Sequence, residues 1–202
     1  MIINKEKWLF VSTMKCATNT LYELLKRKEF GGKWGGGNNF HAIPTAKSHP
    51  FPDMKRLAPL HFSACRNPYD RAVSIWASTC LRGENHDRYE PFRYITDKGG
   101  NPAHFADFVH LVLVDPDRPT FRVPWLYRNQ SDWQDQFLVD AVVQTEDLAR
   151  QLEDLLGVTI HGDLPNENTS PHRSWKHYYS NGLMKLVQEW AGDDFRRFGY
   201  DL

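Results

Sequence analysis

The stretch Trp8–Leu25, WLFVSTMKCATNTLYELL, decides the architecture. Trp8-Leu9-Phe10-Val11 is a short apolar run that reads as a buried strand. Ser12 to Asn19 is small and polar, with one lysine. From Thr20 the pattern changes: Leu21, Leu24 and Leu25 keep the i, i+3, i+4 spacing of a helix face. The chain therefore runs strand, tight loop, helix, and Lys15 sits in the loop. The first amides of such a helix lack intrahelical partners and face the loop. The helix dipole and Lys15 both add positive charge there, a combination that suits a phosphate-like dianion. An ordinary strand-to-helix turn with a solvated lysine carries the same pattern, so both readings stay open at this point.

Composition narrows the class. A chain of 202 residues is expected to be one domain, 1–202, long enough to bury a core without staples. Seven Trp, twelve Phe and eight Tyr mark a globular chain rather than a disordered one. Charges balance, with 25 basic and 25 acidic residues, which gives general nucleic-acid binding no electrostatic support. No run of about 20 apolar residues exists, so no membrane span is expected. MIINKEKW lacks the apolar core of a secretory leader. Cys16, Cys65 and Cys80 show no metal-like pairing and read as reduced thiols of a cytoplasmic protein.

Outward from the first helix, which is expected to fade near Glu29, FGGKWGGGNN (30–39) holds five glycines in ten residues. It reads as a mobile loop outside regular structure, either a connector or a flap carrying Trp34. A proline-rich path past His41 leads to PLHFSACRNPYDRAVSIWASTCL (59–81). Leu60–Cys65 reads as a strand with Leu60, Phe62 and Ala64 on one face. Asn67-Pro68 then opens a helix, since Asn caps well and Pro suits the first helical position. Val73, Trp76 and Cys80 supply its buried stripe, and Ser74 lies in its second turn. Arg66 thus stands at the carboxyl end of a strand, where open α/β sheets bind ligands. The polar insert 83–124 begins as an irregular loop through Pro102. Within it, Ala103–Val114 is expected to be helical, with Phe105, Phe108, Val109 and Val112 on one face. Val139–Gln144 reads as a strand. A helix starts at Thr145-Glu146-Asp147, buries Leu148, Leu152, Leu155 and Leu156, and ends at Gly157. Tyr179, Leu183, Leu186, Val187 and Trp190 form a last helical stripe.

Two motifs carry a family resemblance. The nucleoside triphosphate loop G-x-x-x-x-G-K-[ST] does not fit: no glycine flanks Lys15, and small residues follow it. Lys15, Cys16, Ala17, Thr18, Asn19, Thr20 and Leu21 resemble instead the 5′-phosphosulfate loop of the sulfotransferases that use 3′-phosphoadenosine 5′-phosphosulfate. Ala17 departs from a frequent glycine there, and Asn19 from a frequent Thr or Ser. Arg66–Ser74, RNPYDRAVS, closely resembles the 3′-phosphate motif of the same family, whose leading arginine and closing serine hold that phosphate. Gln130-Ser131-Asp132-Trp133, Glu146-Asp147-Leu148 and the terminal Asp193–Tyr200, DDFRRFGY, resemble further family elements, so the likeness runs through nearly the whole chain. It implies an α/β three-layer sandwich, a central mainly parallel sheet flanked by helices in the P-loop-like sulfotransferase fold.

The resemblance implies a chemistry as well. Lys15 would act in catalysis. Lys15, Cys16, Ala17, Thr18, Asn19 and Thr20 would hold the 5′-phosphosulfate, and Arg66 and Ser74 the 3′-phosphate. The product would be adenosine 3′,5′-bisphosphate, and no metal is implied. A base must take the acceptor's proton, a role suited to histidine. His41, His49 and His61 lie between the motifs. His61 sits on the strand and reads as structural, whereas His41 resembles the isolated histidine of several bacterial members. A surface histidine remains the alternative. The acceptor implied is a carbohydrate, with lipid, peptide and small phenol left open. Two other functions stay in view: a nucleotide kinase of related architecture, and a nucleotide- or glycan-binding module without turnover.

Overall fold

The computed structural model describes residues 2–34, 58–81, 90–121, 124–165 and 172–202. These residues group into two units, one of residues 1–66 and 132–168 and one of residues 67–131 and 169–202.

The first unit is built on a five-stranded sheet of β1 (Ile2–Asn4), β2 (Trp8–Phe10), β3 (Lys33–Trp34), β4 (Leu60–Cys65) and β5 (Ala141–Gln144). Their order is β3-β1-β2-β4-β5. β2, β4 and β5 pair in parallel, with Phe10 opposite Phe62 and Phe62 opposite Ala141. β1 and β3 extend the β2 edge antiparallel. Trp8, Phe10, Phe62, Ala64 and Val143 form one apolar face. They pack with Leu21, Leu24 and Leu25 of helix α1 (Thr18–Leu25), and with Leu148 and Leu152 of a helix at Leu148–Leu156. Leu9, Val11 and Ile3 face the other way, against Ala58, Phe137, Trp133 and Val139. β4 is buried on both faces from His61 onward, so His61 and Ser63, the polar residues of its alternating sequence, lie inside as well. The α/β architecture expected from the sequence is the one observed, with the parallel strands β2, β4 and β5 side by side and β5 at one end of the order.

Three boundaries differ from expectation, each for a physical reason. α1 begins at Thr18 rather than Thr20, because its cap position is Ala17 in a left-handed conformation, φ 51°. It also stops at Leu25, short of Glu29, and the chain folds straight back. The Gly32 amide donates to Leu25 O at 3.1 Å, and a Cβ at Gly32 would lie 2.2 Å from that oxygen. Only glycine permits the return that sets Lys33 opposite Ile3. The start of the glycine-rich stretch is therefore a tight reversal into a strand, while its remainder, like Pro44–Leu57, lies outside the described residues. β5 is two residues shorter than expected. It leads through a 3-10 turn, Thr145–Asp147, into the helix Leu148–Leu156. Gly157, at φ 64°, closes that helix in the left-handed cap predicted for it.

The second unit is helical. It holds α2 (Pro68–Cys80), α3 (Glu90–Asp97), α4 (Phe105–Phe108), which runs on into a π-helical turn (Val109–Leu113), and the opening residues of α5 (Gln130–Gln136), whose later residues belong to the first unit. With Leu148–Leu156 as α6, the second unit closes with α7 (Asn181–Trp190) and α8 (Gly192–Phe198). Asn67 caps α2 through its side chain, accepting from Tyr69 N, with Pro68 following. α3 occupies part of the stretch expected to be irregular. Its buried positions are Pro91 and Ile95, so the helical signal lay in an i, i+4 pair rather than in the aromatics around it. Phe105, Phe108, Val109 and Val112 are all buried, as their spacing predicted. Tyr69 stacks on Trp175 at 5.0 Å and meets Phe195 edge-on at 4.8 Å. Arg71, 1% exposed, donates to Leu126 O at 3.1 Å and lies over the Trp190 ring.

Candidate functional site

The parallel strands end where the anion loop begins. Val11 N takes Phe62 O at 2.9 Å, the last rung of the β2–β4 ladder. Beyond it the chain is pinned by side chains. Ser63 Oγ donates to Val11 O at 2.7 Å, so the 2.8 Å contact of Ser63 Oγ with Thr13 Oγ1 has Thr13 as donor. Trp133 Nε1 donates to Ser12 O at 2.9 Å, and Tyr22 OH to Ser12 Oγ at 3.1 Å. Burial raises the Tyr22 pKa, outweighing the opposing bond to Ser12, so the phenol keeps its proton to donate. Gln134, fully buried, donates from Nε2 to Ala64 O at 3.5 Å. Ser12 and Thr13 are thus fixed from the neighbouring strand, from α1 and from α5.

The loop then turns sharply. Cys16 N and the Thr18 hydroxyl both donate to Thr13 O, at 3.3 and 2.9 Å. Lys15 and Ala17 take left-handed φ values of 66° and 51°, conformations costly for residues with a Cβ. Ala17 supplies no capping side chain. The first intrahelical bond is Leu21 N to Ala17 O, at 2.9 Å. Among the described residues, the backbone N–H groups of Ala17, Thr18, Asn19 and Thr20 make no hydrogen bond. Four donors at a helix start, beside Lys15 and without a cap, form a cradle for an external anion. Arg66 enters from the end of β4, its Nη1 donating to Lys15 O at 3.3 Å.

The structure therefore brings together Lys15, Cys16, Ala17, Thr18, Asn19, Thr20 and Arg66. Ser74, 2% exposed, lies on α2 in the second unit. His41 and His49 fall outside the described residues. His61 is fully buried on β4, and its amide donates to Asp140 Oδ2 at 2.8 Å. Sequence reasoning missed Thr13, Ser63 and Tyr22 as supports of the loop. The serine within the strand residues LHFSAC was the available signal. Trp133 packs on Phe137 at 4.5 Å and also holds the loop through its indole N–H. No cluster of three His, Cys, Asp or Glu suited to a metal occurs among the described residues. Among the same residues, no helix is long and apolar enough to cross a membrane.

The backbone of the loop makes one prediction by itself. Ala17→Gly removes the left-handed strain at the cap and is expected to raise stability by about 1 kcal/mol, partly offset by chain entropy. Urea denaturation checks this. A midpoint at or below that of the wild type would show that the loop holds Ala17 without strain.

A strand, a small-residue loop carrying a lysine, an open helix start and an arginine at the end of the next parallel strand fit the pattern of an α/β transferase. The chain matches the sulfotransferase family over residues 2–201 and belongs to it. No curated protein and no solved structure gives a significant match.

Proposed function

We propose that the protein moves a sulfuryl group from 3′-phosphoadenosine 5′-phosphosulfate to a hydroxyl or amine, with a carbohydrate as the acceptor class. The observation that carries this reading is the row of four open amides, Ala17 to Thr20, beside Lys15 and Arg66. Together they suit a ligand with anionic groups at both ends. When bound, the donor supplies a sulfuryl group already activated by its bond to phosphate. The amides of Ala17–Thr20 hold the 5′ anion, with Cys16 shaping the turn, while the Thr18 hydroxyl stays directed at Thr13 O as its donor. Lys15 holds an ammonium at the oxygen that gains charge as the group leaves. Arg66 offers its planar donor fork to the 3′-phosphate, and Ser74 adds a hydroxyl. His41 is the proposed base for the acceptor proton. The reading needs no metal, and it places the protein in the cytoplasm, where the three buried cysteines would stay reduced. The kinase alternative lacks its glycine–lysine loop.

Two measurements test the reading. Adenosine 3′,5′-bisphosphate at about 100 times its dissociation constant should stabilise the fold by roughly 2.7 kcal/mol and raise the melting temperature accordingly. Labelled donor with a panel of sugars, lipids, peptides and phenols should yield a labelled product. An unmoved melting temperature at millimolar nucleotide, with no labelled product, overturns the donor assignment. Binding without transfer to any acceptor favours the non-catalytic module.

A further inference from the structure

We infer that Arg66 also braces, through Nη1, the strained turn that presents Lys15. The geometric part stands on the loop alone, and its consequence for catalysis rests on the donor reading above. Lys15 sits at φ 66° with a Cβ, a conformation that persists only where its surroundings enforce it. The loop's own bonds act at its root, since Cys16 N and the Thr18 hydroxyl both reach Thr13 O and Cys16 Sγ reaches Met14 O. The Arg66 contact is different. It comes from another strand, 51 residues away, and takes the carbonyl of the strained residue itself.

A guanidinium carries five N–H donors in one plane, so a bond to Lys15 O is compatible with a forked contact to phosphate. A phosphate that orients Arg66 then also orients the turn carrying Lys15. The two ends of the donor become coupled, and the 3′-phosphate contributes to turnover as well as to affinity. A lysine at 66 would keep the charge and lose the plane that serves both partners. Arg66 is in this sense a positioning residue for Lys15.

The test compares wild type with Arg66→Ala and Arg66→Lys. In ligand-free protein, amide exchange over residues 12–20 should quicken about tenfold in both variants, while exchange over α6 stays unchanged. With adenosine 5′-phosphosulfate, which has no 3′-phosphate for Arg66 to hold, kcat should still fall about tenfold in both variants relative to wild type. Arg66→Lys carries the test if the alanine variant does not fold. Wild-type exchange over 12–20, equal acceleration over α6, or a loss confined to KM for the full donor each overturns the brace. A wild-type protein inert with either donor, but with the exchange result intact, removes the donor assignment and leaves the brace standing.

Discussion

Alanine at Lys15 is expected to cut sulfuryl transfer by about a hundred- to a thousandfold, the usual loss when one preorganised donor to a developing charge is removed. The backbone makes this a clean experiment. Lys15 is left-handed at φ 66°, and alanine there bears much the same strain as lysine. Its carbonyl remains available to Arg66 Nη1. Thr13 O still accepts from Cys16 N and from the Thr18 hydroxyl. The substitution therefore deletes the ammonium and leaves the four open amides of Ala17–Thr20 in place. Affinity for adenosine 3′,5′-bisphosphate should fall far less, by about tenfold or under, since the proposed reading gives ground-state binding to the amides and Arg66. Single-turnover transfer of labelled sulfate, set beside nucleotide titration, separates the two quantities. Transfer at the wild-type rate would show that the Lys15 ammonium is not at the reacting oxygen. An equal loss in affinity and turnover would make Lys15 a plain binding residue.

The parts of this molecule that were legible in its sequence are those where local chemistry and fold agree. Leu60–Cys65 alternates apolar residues at 60, 62 and 64 and is followed by a charged residue. Asn67-Pro68 is a cap followed by a residue favoured at the first helical position, and both boundaries fall where the sequence puts them. The start of α1 departs from the sequence reading for an instructive reason. Propensity puts a helix boundary at a good cap, and Ala17 is a poor one, so the polar residues after it look like loop. The helix does begin there, uncapped, with Ala17 strained. The place where local rules fail is the candidate site itself, as expected where a ligand is to complete the structure. Other features were silent because they join distant residues. The serine within LHFSAC signals a hydroxyl on the strand, but nothing near it names Val11 and Thr13 as its partners. The glycines of 30–39 suggested looseness, whereas Gly31 and Gly32 serve a close return against Leu25 O.

The other large effect is expected at Asp194, which lies in the terminal DDFRRFGY motif but was given no role by the sequence. Its carboxylate is fully buried. Oδ2 accepts from Gln130 N at 2.8 Å and from Gln130 Nε2 at 3.2 Å, and Oδ1 accepts from Ser131 N and Ser131 Oγ, each at 2.8 Å. Gln130 and Ser131 are the first residues of α5, whose opening amides have no partner within that helix. Asp194 also lies in the first turn of α8, where a negative charge is favoured. One carboxylate thus caps a second helix from 63 residues away. Asp194→Ala strands two buried amides and two side-chain donors, and is expected to cost about 3–4 kcal/mol. That is a large share of the roughly 5–15 kcal/mol that holds a typical domain folded. Asp194→Asn keeps the shape but turns an NH2 group toward donors, and should cost about 2 kcal/mol. Ser131→Ala should lose much less alone, and almost nothing further once Asp194 is already alanine, giving a coupling of about 1 kcal/mol. Urea midpoints for the four proteins of that cycle decide the matter. If Asp194→Ala unfolds within about 0.5 kcal/mol of wild type, the range of an ordinary surface substitution, the carboxylate does not cap α5. If the two single losses simply add, Ser131 draws its stability from somewhere other than Asp194.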